Sequence, residues 1–297
     1  MMKKSLWLVF GILALPVLIY TALFIENNRD VDPVEQHIIA SSLEKATHWA
    51  VTNRDSLLTQ NNAMLWWMIK RSAELSNDYR LQRLYNDYRK RYIDGNLASP
   101  WRPLFGLYSG RSNLAQRLEG FPDYNLYFIY GLTCDQGLQA QALVQAQMED
   151  GFCSDHHPIS PACVTHQLMG LQFRQQNACG DEAEMKRQVE VLQSMIVKQL
   201  TWDPRVVDVY LQRVLMLVDT GAVADVNPIW LRRIINQQLA GGGWSPFQPL
   251  LAMTGEKYFG FTGKSLAITK PKPSFHATAQ GILLMTLLLD KGEASSD

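Results

Sequence analysis

Residues 237–246, QQLAGGGWSP, constrain this chain more than any other stretch. A helical pattern ends in Gln, a glycine-rich turn carries Trp244, Pro246 follows, and the very apolar segment 274–290 closes the unit. Each residue type has a physical role there. A Gln amide can satisfy carbonyls orphaned at a helix end, and glycine adopts φ > 0 without cost. An aromatic ring plugs the gap between successive helices, and proline pre-sets the next helix start.

Weaker copies of the unit recur upstream. Gln116 to Pro122 precedes an apolar helix expected over 123–132. Gln147 to Phe152, with Pro158 and Pro161, precedes one over 162–176, and Gln199 to Pro204 precedes one over 205–219. Partner helices are expected at 138–148, 181–200 and 224–239. The segment 282–289 is apolar except for Thr286, which predicts burial on all sides. The segment 181–200 sets Glu182, Lys186, Arg187 and Glu190 beside a Met185, Val189, Leu192, Ile196 stripe, the pattern of an outer helix. Repetition at tens of residues means stacked supersecondary units. Inner and outer helices in alternation predict an all-α fold, an α/α toroid of helix-hairpin repeats that requires no strands.

Before the repeats, Asp32-Pro33 reads as the N-cap and first position of a helix running to Thr52. Helices are expected over 57–75, with Trp66 and Trp67 as core aromatics, and over 79–93. Whether 34–95 completes the toroid or forms a separate stalk stays open; completion is the preferred reading.

The chain has 297 residues, 47% of them apolar, enough for a sizeable core. Its 28 acids balance 28 Lys and Arg, so no basic face and no nucleic-acid partner is expected. Lys3 and Lys4 precede an uncharged, mostly apolar run from Ser5 to Ile25, and Glu26, Arg29, Asp30 and Asp32 follow it. A run of that length matches the ~30 Å hydrocarbon core. The charge order places the N-terminus in the cytoplasm and the rest outside it. The expected organisation is a cytoplasmic n-region and transmembrane signal anchor at 1–25, a linker at 26–33, and an extracytoplasmic (periplasmic) domain at 34–297, with repeats clearest in 100–290. The expected localisation is the inner (cytoplasmic) membrane, single-pass, with the membrane a partner through residues 5–25. A cleaved signal peptide is the rival reading.

Cys134, Cys153, Cys163 and Cys179 are an even set, as suits an oxidising compartment. Four cysteines allow three pairings. Cys153–Cys163 would close a short proline-rich loop. Cys134–Cys179 would join the C-terminal ends of neighbouring helices. Free buried thiols are the alternative.

The patterns Gln-x-x-Asp-Gly-Phe at 147–152 and Gln-x-x-Gly-Gly-Gly-Trp at 238–244 resemble the Gln–Trp repeats of the terpenoid cyclase and protein prenyltransferase superfamily of α/α toroids. The likeness covers roughly 100–290. The family's catalytic acid and diphosphate-binding aspartate patterns are missing. His276 matches a histidine in the first turn of a late inner helix of the prenyltransferases. Their zinc also needs an Asp-x-Cys pair, and Cys153-Ser154-Asp155 runs in the reverse order.

Inner helices of a toroid would aim their N-termini at one mouth, a concave place for an anionic or carbonyl group. His166, His276 and Asp208 are the candidate catalytic groups there, for acid–base work. Asp123, Tyr124, Arg205, Tyr210 and Trp244 are candidate ligand-binding residues. No cofactor is implied. Asp155, His156 and His157 form the set that could take zinc. The segment 250–272, with Tyr258, Phe259 and Phe261, is expected to be an ordered flap over the mouth. No nucleotide-binding, nucleophile-elbow or metalloprotease motif occurs. Two functions are consistent with this pattern. One is a binding or assembly module for a peptide, glycan, lipid-like ligand or envelope protein. The other is a transferase, lyase or hydrolase using His166, His276 and Asp208.

Overall fold

A computed structural model describes residues 15, 17–107, 114, 118–153 and 161–294. Helices α1 (17–28), α2 (Gln36–Thr52), α3 (Arg54–Leu57), α4 (Ala63–Ser76) and α5 (Tyr79–Tyr92) lead to a 3-10 turn at Arg102–Phe105. There follow α6 (Asp123–Thr133), α7 (Gln136–Gln139), α8 (Ala142–Gln147), α9 (Cys163–Gln176), α10 (Glu182–Trp202), α11 (Asp208–Asp219) and α12 (Pro228–Asn236). Strands β1 (Gln248–Ala252), β2 (Tyr258–Phe261) and β3 (Leu266–Thr269) precede the last helix, α13 (Phe275–Ala294).

Side-chain caps set several helix starts. Asn62 accepts from the Leu65 N–H, Asp78 from Arg80 and Leu81, Asp181 from Glu184, and Asn227 from Ile229 ahead of Pro228. Helix α2 starts at Gln36 rather than at Asp32-Pro33. The chain over 29–35 is non-helical, and the Arg232 guanidinium donates to the Asp32 carbonyl at 2.9 Å.

Helices alternate between two layers. Helix α13 packs on α2, α4 and α11, and α9 packs on α6, α10 and α11. The inner members are buried on every side: Val209 to Val218 of α11 are all buried, as are Ile282 to Leu287 of α13. Helix α10 buries Met185, Val189, Leu192 and Ile196 and exposes Glu182, Lys186 and Glu190, as an outer helix should. Trp66 stacks on Tyr88 at 4.7 Å, and Trp67 meets Phe173 edge-on at 5.3 Å; both tryptophans belong to the core.

The glycine-rich turn works as its residues imply. Trp244 is 2% exposed and donates from Nε1 to the Ile234 carbonyl. A Cβ on Gly281 would lie 2.4 Å from the Trp244 ring, so that helix face admits the plug only as glycine. Gln238 donates to the Gly242 and Ser42 carbonyls, which ties the turn to α2. Gly242 supplies the positive φ, +97°.

Two expectations are corrected. The domain is not strandless: β1, β2 and β3 form an antiparallel sheet in that order, with Gln248 opposite Phe261 and Tyr258 opposite Thr269. Its aromatic and β-branched residues lie between glycine-bearing turns, and they form a ladder where periodicity alone suggested only a flap. The single-pass anchor in the inner membrane is also not borne out, since among the described residues no helix is long and apolar enough to cross a membrane. Residues 5–14 and Pro16 of the expected anchor lie outside the described residues. The described part of α1, residues 17–28, packs on protein. Phe24 lies 5.0 Å from Trp202, the Tyr20 hydroxyl donates to the Trp202 carbonyl, and Asn27 is fully buried.

The expected linker is likewise part of the packed structure at Asn27. Its amide donates to the Leu200 carbonyl, while its oxygen accepts from the Tyr210 hydroxyl and from Arg233. Both disulfides are formed: Cys134–Cys179 joins the ends of α6 and the turn after α9, and Cys153–Cys163 closes the loop before α9.

Candidate functional site

The first turns of α9, α11 and α13 converge on one place. Asp208 opens α11, and His276 is the second residue of α13. His276 Nδ1 lies 3.4 Å from Asp208 Oδ2, which leaves Nε2 as the imidazole nitrogen not engaged by the carboxylate. Asp208 Oδ1 accepts from the Val209 N–H at 2.9 Å, so the helix start orients the carboxylate. His166 enters from α9 and stacks on Tyr124 of α6, with ring centroids 4.4 Å apart. Burial lowers the His166 pKa to about 4, and the nearby charge of His276 adds to that direction. At neutral pH His166 is an uncharged imidazole.

The two histidines stand between two cavities. The inner one, about 780 Å³, lies among α4, α5, α6 and the segment 96–101, with Asn61, Tyr88, Trp101 and Gln280 on its walls. The outer one, about 950 Å³, lies under the sheet and carries Asp123, Asp208, Lys264, Lys270 and Lys272. Tyr124, His166, Gln212 and His276 belong to both. The sizes are those of ligand sites in general.

The helical repeat builds the site in two levels. Gln212 stands four residues after Asp208 on α11, and Gln280 four residues after His276 on α13, so each amide lies one turn deeper on the same face. Gln280 is 1% exposed, and neither its Nε2 nor its Oε1 has a hydrogen-bond partner among the described residues.

The sheet roofs the outer cavity. Arg205 donates to the Gly263 carbonyl at 3.2 Å, which ties the β2–β3 turn to the approach to α11. A Cβ on Gly263 would sit 3.7 Å from Asp208 Oδ1. Arg205 also pairs with Asp203 at 2.6 Å, and Arg213 pairs with the same carboxylate at 2.9 Å. Burial pushes the Asp203 carboxyl up, but the hydrogen bonds and charges of Arg205 and Arg213 outweigh it and hold the pKa below its ordinary value.

The structure therefore brings His166, His276, Asp208, Asp123 and Tyr124 together. It does not bring in three others. Arg205 is a strut of the roof. Tyr210 is fully buried against Asn27, and Trp244 is the plug of its turn. Asp155, His156 and His157 lie outside the described residues. Among the described residues no group of three or more His, Cys, Asp or Glu could hold a metal ion. Sequence reasoning missed Gln212 and Gln280. Their signal was the spacing of four from Asp208 and His276. No protein-family model matches the chain, and no curated protein or solved structure does either.

Proposed function

We propose that the chain is an enzyme whose reaction turns on proton transfer where the two cavities meet. His276 is the proton-transferring group, Asp208 positions it, and His166 is an uncharged hydrogen-bonding partner. One observation carries the reading: Asp208 and His276 approach to 3.4 Å while His166, from a third helix, lines the same space. A carboxylate on Nδ1 fixes the tautomer that presents Nε2 as acceptor and stabilises the imidazolium formed on proton capture. A neutral imidazole beside it can polarise a carbonyl or hold a leaving oxygen without adding charge. Titratable groups in contrasting environments at one site are the usual arrangement for acid and base roles.

The alternation of buried inner and exposed outer helices supports an α/α toroid resembling those of the terpenoid cyclases and prenyltransferases. Its activity is not carried over, since the catalytic aspartate patterns of that family are absent from the sequence. The two disulfides suit an oxidising compartment.

A second reading, a module that binds a ligand and leaves it unchanged, is supported by the His276–Asp208 gap, which is long for an N–H···O hydrogen bond. One experiment separates the two. The purified chain is incubated with glycan, peptide and lipid libraries, and products are followed by mass spectrometry beside His276→Gln and Asp208→Asn. Product formation that falls roughly 10²–10⁴-fold in His276→Gln supports the enzyme. Product formation that survives the substitution excludes His276 as its agent. Retention of a library member without conversion supports the binding module.

A further inference from the structure

The inner cavity carries a chemical signature of its own. Among the described residues on its walls none is Asp, Glu, Lys or Arg. Six are amides: Asn61, Asn62, Asn96, Asn125, Gln212 and Gln280. Aromatic faces are interleaved with them: Trp101 and Phe121, half-buried and 6.4 Å apart, and Tyr124, which is exposed. Gln280 adds the sharpest observation. A buried amide with neither its donor nor its acceptor satisfied is destabilising, and native structures rarely carry one without a purpose. Here it lies on the cavity wall, one turn below His276.

We infer that this cavity binds an uncharged sugar unit, and that the substrate class of the proposed reaction is therefore a glycan. The inference rests on the enzyme reading for the word substrate, while the binding itself does not depend on it. A sugar hydroxyl both donates and accepts, and so does a carboxamide; amides carried by separate elements suit hydroxyls arranged around a ring. The C–H faces of a pyranose are apolar and lie flat on aromatic rings such as Trp101 and Tyr124. A charged ligand finds no acidic side chain, Lys or Arg among the described walls. A purely apolar ligand would leave Gln280 unpaired and would desolvate the amide N–H groups of Asn61 and Asn62, whose oxygens already accept from Tyr88 and Leu65. A peptide strand is the nearest competitor, but it is recognised by a row of groups along a strand edge or groove. The amides here come from α6, α11, α13 and the two loops that hold Asn61, Asn62 and Asn96, and they form no such row. A sugar in this place has its next linkage at the junction, beside His166 and His276.

The test uses the full chain on printed arrays of neutral oligosaccharides, acidic oligosaccharides and peptides, with any hit remeasured by calorimetry. The expected result is retention of a neutral oligosaccharide, with affinity lowered roughly 10–30-fold in Gln280→Leu, as loss of two hydrogen bonds of about 1 kcal/mol each implies. The Tm of Gln280→Leu is expected to be equal to or above that of the parent, because the substitution removes an unsatisfied polar group. A fall in Tm of several degrees, with affinity unchanged, would make Gln280 a structural residue and overturn the assignment. Retention of peptides instead of saccharides, or of neither, also overturns it. His276→Gln separates the two proposals. If the parent converts the saccharide while the variant binds it and converts none, both stand. If parent and variant bind alike and neither converts it, the sugar site stands and the enzyme reading falls.

Discussion

The imidazole of His166 lies against the phenol ring of Tyr124, centroids 4.4 Å apart and planes 15° from parallel. The stack comes from two inner helices, α9 and α6, and it covers a face of the imidazole that water would otherwise reach. That cover is one source of the desolvation that takes the His166 pKa from 6.5 to about 4.

A folding linkage follows. A histidine whose folded pKa is lowered stays neutral in the native state while the unfolded chain takes up its proton. Its contribution is neutral above the unfolded value and turns destabilising as pH falls from about 6.5 toward about 4. Thermal unfolding between pH 4 and 7 is expected to show a loss of stability across that window, and His166→Asn to flatten it. Equal slopes for parent and variant would mean that His166 is not the group responsible.

The disulfides give a second prediction. Cys134 and Cys179 are 45 residues apart and lock the end of α6 to the turn after α9. Replacing both with serine is expected to lower stability by about 2–4 kcal/mol. The Cys153–Cys163 bridge closes a separation of only 10 residues and should cost less. Urea titrations of the two double variants, and of the parent with and without reductant, check the order.

Arg205 gives a third. It holds the β2–β3 turn through the Gly263 carbonyl and anchors itself on Asp203. Arg205→Ala is expected to raise hydrogen exchange in residues 262–265 by about tenfold while leaving α11 protected. Unchanged exchange there would show that the roof is held by its own ladder alone.

A fourth concerns close helix contact. A Cβ on Gly170 would lie 2.2 Å from the Tyr127 ring. Gly170→Ala should cost about 1–3 kcal/mol by overpacking, read as a lower denaturation midpoint. Tyr127→Phe would leave that clash in place, so adding it should not rescue the alanine variant.

The sequence disclosed the helices and the disulfide partners because both leave local traces: capping residues such as Asp78 and Asp181, apolar stripes, and cysteines at compatible helix ends. It also placed His166, His276 and Asp208 in the first turns of helices, which is where they lie. The sheet escaped because Pro249 and three glycines break the alternation that marks strands. Gly260 in particular is needed where β2 passes β1, a Cβ there falling 2.0 Å from the Gln248 carbonyl oxygen. Tyr210 and Arg205 were drawn to the mouth by their position near a helix start, yet a start has several faces. Tyr210 points to the back, where its partner Asn27 is 183 residues away in sequence and has no local signal. The anchor expectation rested on apolar length and flanking charge, which take no account of what the residues touch.

Asn27 has a mechanical consequence. It is clamped at once by α10, through the Leu200 carbonyl, by α11, through Tyr210, and by α12, through Arg233 and the Trp230 indole. Tyr210 is two residues from Asp208 on the same helix. Displacing α1 at this point would break hydrogen bonds to three helices at once, one of them made two residues from Asp208.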